Sequence, residues 1–369
     1  MTKDKIKLLA INPGSTSTKV AVMEVDPAKG NQKEAIVCLM SKNIKHSAEA
    51  ISAFKKIADQ YDFRKQAVLN ELQEQNINID DMSCIIGRGG LIKPILSGIY
   101  EVNEAMVNDL KIGVAGQHAS NLGGLIAKQI ADKIGVKAYI ADPVVVDEME
   151  AIARITGHPD FVRTSIFHAL NQKAIARTYA EQVQKKYEDL NLIVVHMGGG
   201  ISVGVHKKGR VIDVNQALNG EGPFSPERSG TLPVNSLITA CFSGKYTEEE
   251  LNKMVVGKGG FVAYLGTNDA LEVENRVKAG DETARFFESA MVYQIAKEIG
   301  AAATVLCGQI DAILLTGGMA YGKPFVEQIK ERVQFLAKVA VFPGEDEMNA
   351  LASNVWLMLR GEIDCQVYQ

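Results

Sequence analysis

Apolar runs broken by short turns rich in glycine and hydroxyl residues dominate the chain, and the device appears twice. Residues 5–11 and 20–25 are strand-like runs that flank Asn12-Pro13-Gly14-Ser15-Thr16-Ser17-Thr18-Lys19. About half a chain later, 192–196 and 201–205 flank Met197-Gly198-Gly199-Gly200. Strand, polar turn and returning strand predict a hairpin whose tip exposes backbone N–H groups and hydroxyls. Such tips suit phosphate oxygens, because glycine lets the backbone approach closely and take unusual dihedral angles. One hairpin in each half predicts two related domains that grip a polyphosphate between them.

The remaining pattern alternates strand and helix, which predicts α/β layers. Residues 35–40 read as a strand, 47–75 carry helical spacing, and 84–86 form a short buried strand ending in Gly87-Arg88-Gly89-Gly90. Asn103 caps a short helix and 119–134 form another. A strand over 137–140 delivers Asp142 and Pro143 at its end. Residues 143–165 mix polar residues, proline and glycine, and are the expected crossover. The second half predicts a helix over 168–189, strands near 192–196, 201–206 and 210–214, and a helix after Thr247, which has capping-box spacing to Glu250. A long helix over 281–306 is followed by a buried strand, 311–315, that closes in Thr316-Gly317-Gly318-Met319-Ala320. A last helix over 345–361 is expected to return to the first domain. The predicted domains are 1–150, joined by about 345–369, and 151–344.

Composition narrows the function classes. In 369 residues, 46% are hydrophobic and 23% charged, ordinary for a globular enzyme of two domains. A net charge of −4 gives no general attraction to nucleic acid or an anionic membrane. No apolar stretch approaches the ~20 residues of a membrane span, and the amino-terminal residues carry no signal-like apolar run. Five scattered cysteines without a CxxC pair predict free thiols in a reducing cytoplasm.

Several motifs compete for the chemistry. Gly317-x-x-x-x-Gly322-Lys323 nearly matches a phosphate loop, but Pro324 stands where Ser or Thr must hold Mg²⁺. Gly317-Gly318 is therefore read as a strand-end turn that a nucleoside can approach. No GxGxxG follows a strand, so a dinucleotide site is unsupported. Arg88 lies between glycines, and Arg228 lies in Ser225-Pro226-Glu227-Arg228-Ser229-Gly230. The glycines are read as clearing space for a planar anion, which a guanidinium binds bidentately. His46, His158 and His206 are expected at the surface. His118, His168 and His196 lie beside glycine turns or a helix start, within reach of a phosphoryl group. Nothing has the spacing of a zinc site.

Taken together, the 12–19 turn, His196-Met197-Gly198-Gly199-Gly200-Ile201-Ser202 and Leu315-Thr316-Gly317-Gly318-Met319-Ala320 resemble the two phosphate motifs and the adenosine motif of the acetokinase family. That family belongs to the acetate and sugar kinase, Hsp70 and actin superfamily. Residues 220–230, with Glu227-Arg228-Ser229-Gly230, resemble its butyrate kinase branch, as does the glycine at 199 in place of the asparagine typical of acetate kinases. The resemblance runs essentially end to end. It implies an α/β chain with two related domains of the actin-like ATPase (ribonuclease H-like) fold and an interdomain cleft. It also implies transfer of phosphate from ATP to butyrate, giving ADP, with Mg²⁺.

Position by position, the resemblance puts Asn12 near the γ-phosphate and metal, and Arg88 on the substrate carboxylate. It puts Arg228 on the transferring phosphoryl group. Gly14, Ser15, Thr16, Ser17, Lys19, Gly198, Gly199 and Gly200 match the phosphate motifs, and Thr316, Gly317, Gly318 and Met319 the nucleoside motif. The first histidine of the family's His-Gly-Thr-Ser-His motif is replaced by Thr164, which leaves His168 and His196 for the donor role. Asp142 and a glutamate, Glu347 or Glu345, match the acids that organise Mg²⁺. A cytoplasmic homo-oligomer of two or more copies is expected. Kinases for acetate, propionate or isobutyrate, and a non-catalytic actin-like nucleotide-binding protein, are the alternatives.

Overall fold

The computed structural model describes residues 4–369. They divide into two compact units, one running to Val146 and resuming over Asp346–Gln369, the other spanning Asp147–Glu345. In chain order the first unit contributes β1 (Ile6–Pro13), β2 (Ser17–Val25), β3 (Ile36–Lys45), β4 (Cys84–Arg88), β5 (Ile99–Glu101) and β6 (Lys137–Ala141). The second contributes β7 (Asn191–Met197), β8 (Ile201–Lys207), β9 (Arg210–Val214), β10 (Ala312–Gly317) and β11 (Val339–Pro343). The chain then returns with the helix Glu347–Arg360 and the short strand β12 (Cys365–Gln366).

The same five-strand arrangement is built twice. In the first sheet, of order β12-β5-β6-β4-β1-β2-β3, an antiparallel meander β1-β2-β3 lies beside β4 and β6, which run parallel to β1. In the second, β11-β10-β7-β8-β9, the meander β7-β8-β9 lies beside the parallel β10 and β11. Parallel strands end at one edge, so β1, β4 and β6 deliver Asn12, Arg88 and Asp142 to a common side. By the same rule β7, β10 and β11 deliver Met197, Gly317 and the following Gly344 together. That edge, the carboxyl end of the strands, is where open α/β sheets place ligands.

Burial follows from covering both sheet faces. Leu8–Ile11 of β1 and Cys84–Gly87 of β4 are continuously buried, as strands sandwiched between helices must be. The helix Asn121–Ile134 covers one face with Leu122, Leu125 and Ile126. The helix Glu347–Arg360 packs against β1 and β2 through a side that buries Met348, Leu351, Val355 and Trp356. In the second unit the helix Glu282–Val305 buries Met291, Val292, Ile295 and Ile299 against β7 and β8. Each such aliphatic side chain contributes about 1.5–3 kcal/mol when fully buried.

The differences from the sequence reading have local causes. The helix expected over 168–189 stops at Gln182, because Gln184 takes a left-handed conformation (φ 55°) and the Lys185 N–H bonds back to the Ala180 carbonyl. The helical span 47–75 is interrupted. A five-residue turn capped by Ser47 precedes a separate helix, Tyr61–Glu74. The capping box at Thr247 and Glu250 is formed as expected. His158 is exposed, but His46 and His206 are buried rather than at the surface. His206 sits within β8, packed from both sides, and His46 folds under the first hairpin tip. Cys84 is buried in β4 and the other cysteines are exposed and free. Among the described residues, no helix is long and apolar enough to cross a membrane.

Candidate active site

The first hairpin tip is held from below. Asn12 pairs with Lys19 and Pro13 with Thr18, and the Gly14 N–H donates to the Ser17 carbonyl at 2.8 Å. Ser15 and Thr16 face solvent, Ser17 and Lys19 are half-buried, and Thr18 is fully buried. Thr18 points to the interior, where its Oγ1 lies 2.8 Å from His46 Nε2. Arg64, only 1% exposed, lies under the turn and donates to the carbonyls of Gly14 (2.6 Å), Ser15 (2.9 Å) and Ser17 (2.9 Å). With three carbonyls turned inward onto one guanidinium, the outer surface of the tip is left to N–H and hydroxyl groups. Arg64 was not legible as a site residue, because its only local setting is an ordinary polar helix.

Asn12, Arg88 and Glu347 converge at the strand ends. Arg88 Nη1 lies 2.6 Å from Glu347 Oε1 and 3.4 Å from Asn12 Oδ1, and Asn12 Nδ2 donates to Glu347 Oε2. Glu347 opens its helix, with Asp346 as the N-cap accepting from the Asn349 N–H at 3.1 Å. Asp142 lies at the end of β6 with a positive φ of 39°, an unusual conformation for a non-glycine residue. Its buried Oδ1 accepts from Ser97 Oγ (2.6 Å) and the Gly98 N–H (2.9 Å), which anchors that loop. His118 Nδ1 accepts from the Ser120 N–H at the start of the following helix.

The glycines around Arg88 do something other than expected. A Cβ on Gly87 would collide with the backbone of Gly123, one on Gly123 with the Arg88 carbonyl, and one on Gly89 would lie 2.5 Å from Pro143 Cβ. They allow the helix Asn121–Ile134 to press directly on β4, rather than clearing room for an anion. At Arg228 a glycine makes room for the arginine itself rather than for an anion: a Cβ on Gly200 would occupy the place of the guanidinium.

The second hairpin tip is closed by the Gly198 N–H donating to the Gly200 carbonyl at 3.0 Å, and Ser225 Oγ donates to the Gly199 carbonyl at 2.6 Å. Arg228 Nη1 donates to the Ala217 carbonyl at 2.6 Å, while its Nε is buried without a partner. Burial pulls its pKa below the ordinary guanidinium value, against a weaker upward pull from Glu227. His168 and His196 stack, with ring centroids 3.8 Å apart and planes within 12°. His196 Nδ1 faces Asn171 Oδ1 at 2.9 Å, and its Nε2 lies 3.6 Å from Glu345 Oε2. Thus Glu345 sits with the histidines, whereas Glu347 sits with Asn12 and Arg88. Thr164 Oγ1 accepts from Gln216 Nε2 at 3.1 Å.

At the end of β10, Thr316 Oγ1 donates to the Gly344 carbonyl (3.1 Å), and Gly317 and Gly344 exchange backbone hydrogen bonds. The position a Gly318 Cβ would take is open. Gly318 and Met319 border a largely apolar cavity of about 280 Å³ lined also by Phe261, Leu271, Tyr321 and Phe325. Two carboxylates, Glu274 and Glu288, reach it, and burial raises the pKa of Glu288. A mostly apolar cavity with a few polar groups suits a nucleobase.

The oxygen donors test the metal expectation. Asn12 and Glu347 offer one carboxamide and one carboxylate side by side, and no group of three His, Cys, Asp or Glu capable of holding a metal occurs among the described residues. The carboxamide and the carboxylate are an incomplete donor set by themselves. Such a set fits Mg²⁺, which is commonly held through one or two carboxylates while water and substrate phosphates fill the other positions.

Known proteins resemble the chain in sequence and in fold. A sequence model of the acetokinase family matches residues 151–353. The chain is 55% identical to butyrate kinase 2 of Clostridium acetobutylicum, over 99% of this chain and 100% of that protein. Among solved structures it resembles acetate kinase of Porphyromonas gingivalis, with a TM-score of 0.75 and 18% identity over 96% of this chain and 100% of that one. It also resembles a propionate kinase of Francisella tularensis subsp. tularensis, with a TM-score of 0.72 and 17% identity over 95% and 98%. At those identities the two structures bear on the fold alone.

Proposed function

The chain belongs to the acetokinase family, and we propose that it is a carboxylate kinase that converts butyrate and ATP into butyryl phosphate and ADP. The observation that carries the reading is the seat of Arg228. A half-buried guanidinium, its Nε buried and unpaired, fills a notch that Gly200 leaves open in the second glycine turn. The end-to-end likeness to a butyrate kinase supplies the acid.

The chemistry asks little of a base. With a pKa near the ~4.3 of a glutamate side chain, butyrate is already ionised at pH 7. The obstacle is bringing an anion to a polyphosphate. Arg88 would exchange part of its pairing with Glu347 for the substrate carboxylate and aim it. Gly14, Ser15, Thr16, Ser17 and Lys19, with Gly198, Gly199 and Gly200, would hold the phosphates, and Thr316–Met319 the nucleoside. Arg228 and a histidine N–H would meet charge developing on the transferring group, which passes in line and without a phosphoenzyme. Asn12 and Glu347 would hold Mg²⁺, with Asp142 fixing the loop beside them. When bound, the ion would supply positive charge that offsets the charge of the polyphosphate.

A homo-oligomer in the cytoplasm completes the reading. The oligomer is supported by the helix Val234–Phe242, none of whose residues is buried. Its Val234, Ile238 and Phe242, on one face at i, i+4 and i+8, are 71%, 51% and 87% exposed. Ile238→Asp should lower the mass found by sedimentation if a second copy covers that stripe.

The test of function is a panel of C2 to C5 acids with ATP–Mg²⁺, trapping acyl phosphate as the hydroxamate. Butyrate should be preferred over acetate, though one methylene is worth only about 1–3 kcal/mol in an apolar pocket. Equal or better turnover of acetate would overturn the butyrate assignment and leave the kinase standing. No hydroxamate with any acid would overturn both.

A further inference from the structure

A chain of buried side chains runs behind His168 and sets where its hydrogen sits. On β8, Ser202, Gly204 and His206 share one face, and Gln172, on the helix Ala169–Gln182, reaches across it. Tyr187 OH lies 2.7 Å from His206 Nδ1, and His206 Nε2 lies 3.0 Å from Gln172 Oε1. Gln172 Nε2 donates to both the carbonyl (3.1 Å) and the Oγ (2.8 Å) of Ser202, and Ser202 Oγ lies 2.9 Å from His168 Nδ1. Gln172, Ser202 and His206 are fully buried. A Cβ at position 204 would overlap Gln172 Oε1, so the bare strand is what admits the amide.

The direction of each bond follows from which atoms can only give or only take and, for Ser202 and His168, where both can do either, from the need to give the buried hydroxyl hydrogen an acceptor. The Ser202 carbonyl can only accept, so it fixes which end of the Gln172 amide is nitrogen. The amide oxygen must then accept from His206 Nε2–H. Burial holds His206 neutral, so its Nδ1 carries a lone pair and the Tyr187 hydroxyl donates to it. At the other end Ser202 Oγ receives the Gln172 N–H, and its own hydrogen has His168 Nδ1 as the acceptor. A neutral imidazole that accepts at Nδ1 carries its hydrogen on Nε2. The stacked His196 is arranged the other way, since its Nδ1 donates to Asn171 Oδ1 and its Nε2 faces the Glu345 carboxylate.

We infer that Gln172 and Ser202 are positioning residues that lock His168 in the Nε2–H form, so that His168, rather than His196, is the neutral N–H donor to the transferring phosphoryl group. The donor role rests on the kinase reading, and the locked tautomer does not. The same logic governs metal-bound histidines, whose second nitrogen is fixed by an outer partner. His168 keeps its hydrogen throughout, so no proton need be replaced between turnovers.

The test combines spectroscopy with kinetics on the full chain. Nitrogen-15 spectra of the histidine-labelled, ligand-free protein should show His168 as Nε2–H and His196 as Nδ1–H, and Ser202→Ala should abolish the His168 bias. In the hydroxamate assay Ser202→Ala should lower kcat on the order of tenfold with both KM values little changed. His168→Ala should lose on the order of 10²–10³, and His168→Gln, which keeps an N–H, should recover part of it. His168 found as Nδ1–H, or His168→Ala at wild-type kcat, would overturn the inference. If Ser202→Ala fails to fold, the wild-type spectrum alone decides the tautomer. A wild-type protein that makes no acyl phosphate would sink the kinase reading, and the spectrum, independent of turnover, would tell that failure from failure of the lock.

Discussion

Gly200 and Arg228 are a fitted pair: the absent side chain of one is the space taken by the guanidinium of the other. The arginine cannot swing away freely, because its Nη1 is tied to the Ala217 carbonyl and most of the group is buried. Gly200→Ala should therefore displace the guanidinium while leaving the β7–β8 hairpin paired. We expect kcat to fall on the order of 10²–10³, close to the loss in Arg228→Ala, with the KM for ATP changed far less, since the partner charge develops mainly in the transition state. Steady-state kinetics at saturating acid decide it, and a Gly200→Ala enzyme at wild-type kcat would refute the fit.

Arg88 should behave differently. Its partners are Glu347 and Asn12, an arrangement that holds the guanidinium ready for a carboxylate. Arg88→Ala removes the group that neutralises the acid in its ground state, so the KM for butyrate should rise at least about tenfold. Arg88→Lys should recover only part of this, because an ammonium cannot make the bidentate contact. An unchanged butyrate KM in a folded Arg88→Ala protein would remove Arg88 from the substrate site.

What could be read from the chain, and what could not, divides along the range of the interaction. Both hairpins, the strand ends at Arg88 and Asp142 and the capping box at Thr247 follow from local pattern, since turns and periodicity are set by near neighbours. The choice between Glu345 and Glu347 is not local. Two residues apart, they face different companions, His196 and the Asn12–Arg88 pair, because a helix begins between them and turns the chain. His46 and His206 look like surface residues among polar neighbours, yet sheet pairing buries them. The glycines beside Arg88 were legible as a requirement, but the partners that demand them, Gly123 for Gly87, Pro143 for Gly89 and Asn121 for Gly90, lie over thirty residues on and meet them only through packing.

Arg64 carries a prediction of its own. None of its hydrogen-bond partners is a carboxylate: it serves three carbonyls of the tip, Thr18 Oγ1 and Gln60 Oε1. A buried cation without a counter-anion favours an anion bound on the other side of the turn. Arg64→Met should cost about 1–3 kcal/mol or more in stability, through the acceptors it orphans, and should raise the KM for ATP well above that for butyrate. Arg64→Lys should keep more ATP affinity than Arg64→Met, because the charge survives. Equal effects of both variants on the two KM values would mean that Arg64 only supports the fold.

His206 makes stability depend on pH in a known direction. Burial depresses its pKa well below the ordinary 6.5, with Lys173 and Arg177 adding repulsion. Above about pH 6.5 the histidine is neutral in both folded and unfolded chains and has no effect. Below that value the unfolded chain takes up a proton that the folded chain refuses, so the unfolded state gains and stability falls as pH drops. The slope from this one group is at most about 1.4 kcal/mol per pH unit. Urea unfolding between about pH 7.5 and 5 should therefore show a steeper loss for wild type than for His206→Gln, which cannot titrate. Other groups contribute equally to both proteins and cancel in the comparison. Parallel curves for the two would show that His206 takes up its proton as readily in the folded protein as in the unfolded chain, and the depression by burial would be refuted.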